Sequence, residues 1–255
     1  MRTLETIPRP QSKYRTGDWN VRRWSNDDRA KMVGDELRVT CVPRKQGMAS
    51  GTGFFAMPAG FPATEATVSY EVFFPEDYTW VKGGKVGFGL GLGDGDETAS
   101  GANWKKKAGS IRSMWRDDGQ AIGYLYLPTE GSTRDGVLRK QGPSCKESAE
   151  GSLGKPAGID MFYRNNSGLA FNKGTWNTVT IFAKLNDVGQ QNGIYMLTVN
   201  GVTREVRDVV YRRKSEKIRI NGVMFATFFG GSSLEWACKT PQTVSFRNLK
   251  VTSDA

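Results

Sequence analysis

Ser110, Arg112, Tyr124 and Tyr126 are the residues whose types and spacing suit chemistry on an acidic ligand. In Gly109-Ser110-Ile111-Arg112-Ser113-Met114-Trp115-Arg116, the two-residue period of a strand puts Ser110, Arg112, Met114 and Arg116 on one face. Ile111, Ser113 and Trp115 take the other. In the following run, Tyr124 and Tyr126 alternate with Leu125 and Leu127. The Asp117-Asp118-Gly119 turn makes the two runs hairpin neighbours, so one sheet surface can carry all four residues. Two arginines and two tyrosines make a floor for an anionic sugar, because a guanidinium grips a carboxylate bidentately. An ordinary solvated face has the same pattern, and spacing leaves both readings open.

Composition narrows the chemistry. The 255 residues include no histidine, which excludes Ser-His-Asp and Cys-His catalysis, His-ligated zinc and a histidine base. Proton transfer then falls to Tyr, Lys, Asp, Glu or Cys. Lys and Arg outnumber Asp and Glu 36 to 26, and the net charge of +10 favours an anionic partner: nucleic acid, an acidic membrane surface or an acidic polysaccharide. Cys41, Cys145 and Cys238 lie far apart without CxxC spacing, so one disulfide plus a free thiol is possible and a zinc site is not expected. No stretch approaches the roughly 20 apolar residues of a membrane helix. The first 25 residues have no apolar h-region, so no signal peptide is expected in this chain.

The elements that must position these residues read as strands. Runs of Val, Phe, Tyr and Thr between Gly, Asn, Asp and Pro predict strands over 36–42, 65–74, 85–92, 110–116, 122–127, 176–185, 193–199, 202–206, 218–228 and 242–251. Asn200-Gly201 between two of them signals a type I′ hairpin. Residues 1 to about 20 are expected to run extended along the surface, and 134–157 to form a long loop. With no repeat or linker, residues 1–255 read as one all-β domain, a jelly roll or β-sandwich of two antiparallel sheets.

Other clusters have plainer explanations. Asp94-Gly95-Asp96-Glu97 lacks the ligand spacing of a calcium loop and fits a solvated turn. Lys105–Lys107 and Arg212-Arg213-Lys214 fit solvated faces and come with no nucleic-acid-binding motif. Glu65 and Glu71 are not marked as a glycosidase pair. The Phe225, Thr227, Phe229 stripe reads as core. Trp104, Trp115 and Trp236 suit either sugar stacking or packing.

Several motifs, in order, resemble polysaccharide lyase family 14. They are Tyr70-Glu71-Val72-Phe73-Phe74-Pro75 leading to Trp80-Val81-Lys82-Gly83-Gly84-Lys85; Ser110-x-Arg112-x-Met114-Trp115-Arg116 with Tyr124-x-Tyr126; Gly174-x-Trp176-Asn177-x-Val179; Val199-Asn200-Gly201; and Gly222-Val223-Met224-Phe225-x-Thr227-Phe228-Phe229-Gly230-Gly231-Ser232. They run from about residue 65 to the C-terminus. The family, with alginate and glucuronan lyases of chlorella viruses and marine molluscs, implies a β-jelly roll. Gly87-Phe88-Gly89-Leu90-Gly91 lacks the proline expected there, and Lys105-Lys106-Lys107 is an unusual insertion.

The resemblance implies a catalytic set of Lys85, Ser110, Arg112, Tyr124 and Tyr126, with Lys82 as the alternative lysine register. Lys82, Arg116 and Trp115 are the implied substrate-binding residues. The implied reaction is β-elimination on 4-linked uronates such as polyglucuronate or alginate. Arg112 and Lys85, with a hydrogen bond from Ser110, neutralise the carboxylate, and base and acid are Tyr124 and Tyr126 in either order, or one tyrosine in both roles, the pKa lowered by the cations. No metal or cofactor is expected. The expected partner is an extracellular or cell-wall acidic polysaccharide, with neither nucleic acid nor membrane, and the chain is expected to act as a monomer. A non-catalytic jelly-roll lectin using the same basic face is the competing reading.

Overall fold

The computed structural model describes residues 2–10, 19–101, 103–149, 158–163 and 167–254. In chain order the strands are β1 (Arg2–Leu4), β2 (Val21–Ser25), β3 (Ala30–Val33), β4 (Glu36–Cys41), β5 (Thr52–Ala56), β6 (Glu65–Phe73), β7 (Gly83–Lys85) and β8 (Phe88–Gly93). Then follow β9 (Ala108–Arg116), β10 (Ala121–Tyr126), β11 (Ile159–Met161), β12 (Trp176–Lys184), β13 (Gly193–Val199), β14 (Val202–Val209), β15 (Arg219–Phe229) and β16 (Gln242–Ser253). They form two antiparallel sheets. The first runs β14-β13-β12-β6-β16-β4-β3, with β1 on β16; the second runs β11-β10-β9-β7-β15-β5-β2, with β8 paired to β15 and β9. This is the expected two-sheet sandwich.

The sheets differ in what covers their outer faces. Strands β6, β12 and β13 alternate buried and partly exposed residues, as a sheet with one wet face must. Strands β8, β9 and β10 are buried at every position. One face of the second sheet joins the main core, where Phe88, Leu90, Ile111, Trp115, Leu125, Phe225 and Phe229 meet Tyr70, Val72, Phe74, Ile181 and Phe246 of the first. The Phe225–Phe229 stripe is core, as read from its period. The Tyr70 hydroxyl ties the layers, donating to the Val86 carbonyl at 2.9 Å and lying 3.0 Å from Ser113 Oγ. The opposite face of β9 and β10 carries a separate cluster of Ala108, Met114, Ile122, Tyr124 and Tyr126, with Ala99 and the partly buried Trp104 and Tyr163.

The Asn200-Gly201 hairpin forms as expected, with positive φ at both residues and Val199 opposite Val202. The expected loop over 134–157 is corrected in its first part. Arg134–Arg139 forms a short helix α1, with Thr133 Oγ1 accepting from the Gly136 amide, and Pro143–Ser148 forms α2. Helix α2 is held by a distant partner: the Asp208 carboxylate on β14 accepts from the Ser144 and Cys145 amides, both at 2.7 Å. Residues 150–157 of that loop, and 1 and 11–18 of the expected N-terminal extension, lie outside the described residues. Residues 2–4 do pair, as the edge strand β1. Cys41, Cys145 and Cys238 are all free and buried.

Candidate active site

The β9–β10 register sets Tyr124 opposite Arg112 and Tyr126 opposite Ser110, so the four residues share one face as their spacing required. Strand β7 pairs on the other side of β9, placing Lys85 opposite Met114. Lys85 Nζ then sits 3.0 Å from Met114 Sδ and 3.6 Å from the centroid of the Tyr124 ring. Glycines make room beside this group. A Cβ at Gly89 on β8 would stand 2.4 Å from the Ile111 carbonyl oxygen and 2.8 Å from Arg112 Cγ, so the arginine stem lies in space that only glycine leaves.

Arg112 is the outlying member of this group. It is 3% exposed, and none of the described residues offers an acceptor to its Nε or Nη2. A buried guanidinium with unpartnered donors is costly in a folded chain. Burial pushes its pKa down from 12.5 to about 10. Lys85 is held well below its ordinary 10.5, first by burial, then by repulsion from Arg112 and Arg116, with Asp160 opposing.

Tyr124 departs from expectation. Tyr124 and Tyr126 are in hydrogen-bond contact, their rings 5.5 Å apart at 74°. Burial, reinforced by Tyr126, pushes the Tyr124 phenol well above its ordinary 10, and the opposing pull of Arg116 is smaller. The expected lowering by neighbouring cations is therefore reversed, and Tyr124 keeps its proton. Ser110 is also reassigned in part. Its hydroxyl donates to the Ala99 carbonyl at 2.8 Å, and Trp104 packs edge-on against Tyr126.

Other expected residues separate. Arg116 lies on the site face, its Nη2 2.5 Å from the Asp160 carboxylate, with Tyr124 and Tyr163 rings 5.9 and 5.6 Å from its guanidinium carbon. Burial still raises Asp160 from its ordinary 3.8, outweighing the pull of Arg116 and then Lys85. Lys82 is exposed in the turn before β7, paired with Glu235 at 2.8 Å and 6.0 Å from the Trp236 ring, so of the two lysines Lys85 is the one among the site residues. Trp115 does not line the site. It is fully buried on the core side, its indole donating to the Trp80 carbonyl at 2.8 Å, because odd positions of β9 face the other sheet. The Asp94 carboxylate pairs with Lys107, and among the described residues no three His, Cys, Asp or Glu side chains cluster as metal ligands.

Asp160 was not singled out from the sequence. It enters through β11, whose register places it opposite Tyr124. The alternation Ile159-Asp160-Met161, apolar on both sides of one acid, is the signal that marks it. Met114 shares the face by strand period, but its role as the Lys85 neighbour depends on the β7–β9 pairing.

The family model described as "Polysaccharide lyase 14" matches residues 38–249. A chlorella virus protein, "Exolysin" of Paramecium bursaria Chlorella virus 1, is 29% identical over 198 residues, 72% of this chain. The match covers 29% of the viral protein, so the chain spans less than a third of that relative's length. A marine PL-14 alginate lyase from Aplysia kurodai superposes with a TM-score of 0.77 at 20% identity, covering 99% of this chain and 98% of that one. The alginate lyase vAL-1 from Chlorella virus gives 0.71 at 23% identity, covering 93% of each chain. At these identities the two structures show a shared jelly-roll fold.

Proposed function

The chain belongs to polysaccharide lyase family 14, whose model matches residues 38–249, and from that premise we propose that it cleaves 4-linked uronate polymers, polyglucuronate or alginate, by β-elimination. The observation that carries this reading is Arg112, a buried guanidinium with two unpartnered donor nitrogens on a face shared with Lys85 and Tyr124. A uronate carboxylate supplies the missing acceptors and the missing negative charge. Binding it to Arg112 neutralises the group beside C5 and acidifies the C5 proton, the electrostatic part of the catalysis.

Burial divides the proton transfers. Tyr124, held protonated, is suited to donate its phenolic proton to O4 as the C4–O4 bond breaks. Lys85, whose proton affinity is lowered, is suited to accept the C5 proton as a neutral amine while the C5–H electron pair becomes the C4–C5 double bond. Lys85 Nζ lies 3.6 Å from the Tyr124 ring centroid, which puts base and acid beside the same sugar; after each cycle Lys85 loses its proton to solvent and the Tyr124 phenolate regains one from it. Tyr126 hydrogen-bonds Tyr124 and orients it. The Arg116–Asp160 pair borders the same ring and fixes the field around it.

The test is incubation with polyglucuronate and with alginate, following the ultraviolet absorbance of the unsaturated product. Absorbance rising on either polymer supports the reading. Binding to both without any rise would reassign the face to a lectin.

A further inference from the structure

Two basic runs more than a hundred residues apart meet at one point of the surface. The Thr129 and Glu130 amides donate to the Lys105 and Lys106 carbonyls, each at 2.9 Å. On its other side Glu130 holds the second run: its carboxylate accepts from the Lys214 and Ser215 amides at 3.0 and 3.1 Å and lies 3.6 Å from Arg213 Nε. Beside this joint is a surface cavity of about 470 Å3, lined among others by Glu130, Lys140, Arg213, Lys214, Gln190 and Gln191, a size typical of ligand sites.

Hydrogen bonds tie the cavity's walls together, and it carries uncommitted positive charge. Gln141 bridges α1 to Val210, donating to the Val210 carbonyl at 3.1 Å and accepting from its amide at 2.8 Å. Gln191 donates to the Lys140 carbonyl at 3.0 Å. The Glu130 charge is taken up by Arg213 and the 213–215 amides. Among the described residues no carboxylate pairs with Lys105, Lys106, Lys140 or Lys214, and both lining lysines are exposed.

We propose that this cavity is a second, non-catalytic subsite for a carboxylate-bearing polysaccharide chain, holding the polymer through Lys140 and Lys214 while another stretch occupies the Arg112 face. Glu130 follows Tyr126 by four residues, which bounds their separation at roughly 14 Å, a span that a few sugar units cover. Trp104 links the places, packing on Tyr126 just before Lys105. Identification of the polymer rests on the lyase reading; the second site itself does not.

The experiment measures binding, not turnover. Dissociation constants of polyglucuronate and alginate, as long polymers and as short oligosaccharides, are measured calorimetrically at two salt concentrations for the parent and for Lys140→Ala/Lys214→Ala. The double variant should bind polymer roughly tenfold more weakly at low salt, with a salt slope shallower by about one per lysine removed. Oligosaccharide affinity should not change, nor should the melting temperature, since both lysines are exposed. Lys140→Glu/Lys214→Glu should weaken polymer binding further. Unchanged polymer affinity and slope would overturn the proposal. So would an equal loss for short oligosaccharides, or a loss confined to single-stranded nucleic acid used as a control polyanion. A parent protein that binds polymer without eliminating it would sink the lyase reading and leave the subsite standing.

Discussion

Replacing Arg112 with methionine should make the protein more stable and nearly inactive. The guanidinium is buried with Nε and Nη2 unpartnered, and its pKa falls from 12.5 to about 10. At ~1.4 kcal/mol for each tenfold change in proton affinity, that displacement amounts to about 3 kcal/mol of destabilisation at neutral pH. Two orphaned donors, at about 1–3 kcal/mol each, give the same order by an independent route. Methionine keeps most of the aliphatic stem that lies beside Gly89 and removes the charge, so nearly all of this is recovered. For a chain of this size each kcal/mol moves Tm by about 2–4 °C, and Arg112→Met should melt about 5–10 °C higher by calorimetry. Loss of the carboxylate contact should lower turnover on polyglucuronate or alginate by roughly 10²- to 10³-fold in the ultraviolet assay. A Tm that falls would mean that Arg112 has a partner in the folded protein. Near-normal turnover would mean that the substrate carboxylate binds elsewhere.

Lys85→Arg keeps the cation but removes an amine able to lose its proton, so kcat should drop at least 10²-fold; a variant with near-parent kcat would leave Lys85 a purely electrostatic role. In the parent, kcat should rise with pH through the lowered Lys85 pKa and hold well into the alkaline range, because Tyr124 stays protonated above its ordinary 10; a profile that instead falls across the range where Lys85 discharges would refute the base assignment. Stability follows the same group with a definite sign. Between the native Lys85 pKa and 10.5 the unfolded chain binds more protons, so this residue's contribution to unfolding free energy climbs with pH there and is absent in Lys85→Met, as denaturant titrations at several pH values can measure. Asp160→Ala leaves Arg116 buried and uncompensated and should cost about 3–5 kcal/mol by denaturant unfolding; a loss below 1 kcal/mol would mean that the pair is solvated.

The face that carries Ser110, Arg112, Tyr124 and Tyr126 is legible in the sequence because strand period and a tight turn are local properties. Two-residue alternation fixes which side chains share a side, and Asp117-Asp118-Gly119 fixes which strands are neighbours. The same locality explains why most of the expected strands and the Asn200-Gly201 hairpin could be read. The expected strand over 85–92 instead breaks at Gly87, φ 71°, into β7 and β8, and β2, β3, β5 and β11 were not singled out. Helix α2 could not be read, since its amides are held by Asp208 from another part of the chain. Tertiary structure alone placed the other residues of this face. Lys85, and not Lys82, is brought to the face by the pairing of β7 with β9, and Asp160 by the pairing of β11 with β10; neither partner is near in sequence. The protonation of Tyr124 departs from the sequence expectation for a physical reason. A list of residues shows cations close to Tyr124, but not that β8, β9 and β10 are buried at every position, and there the cost of desolvating the Tyr124 phenolate exceeds the attraction of the cation beside it.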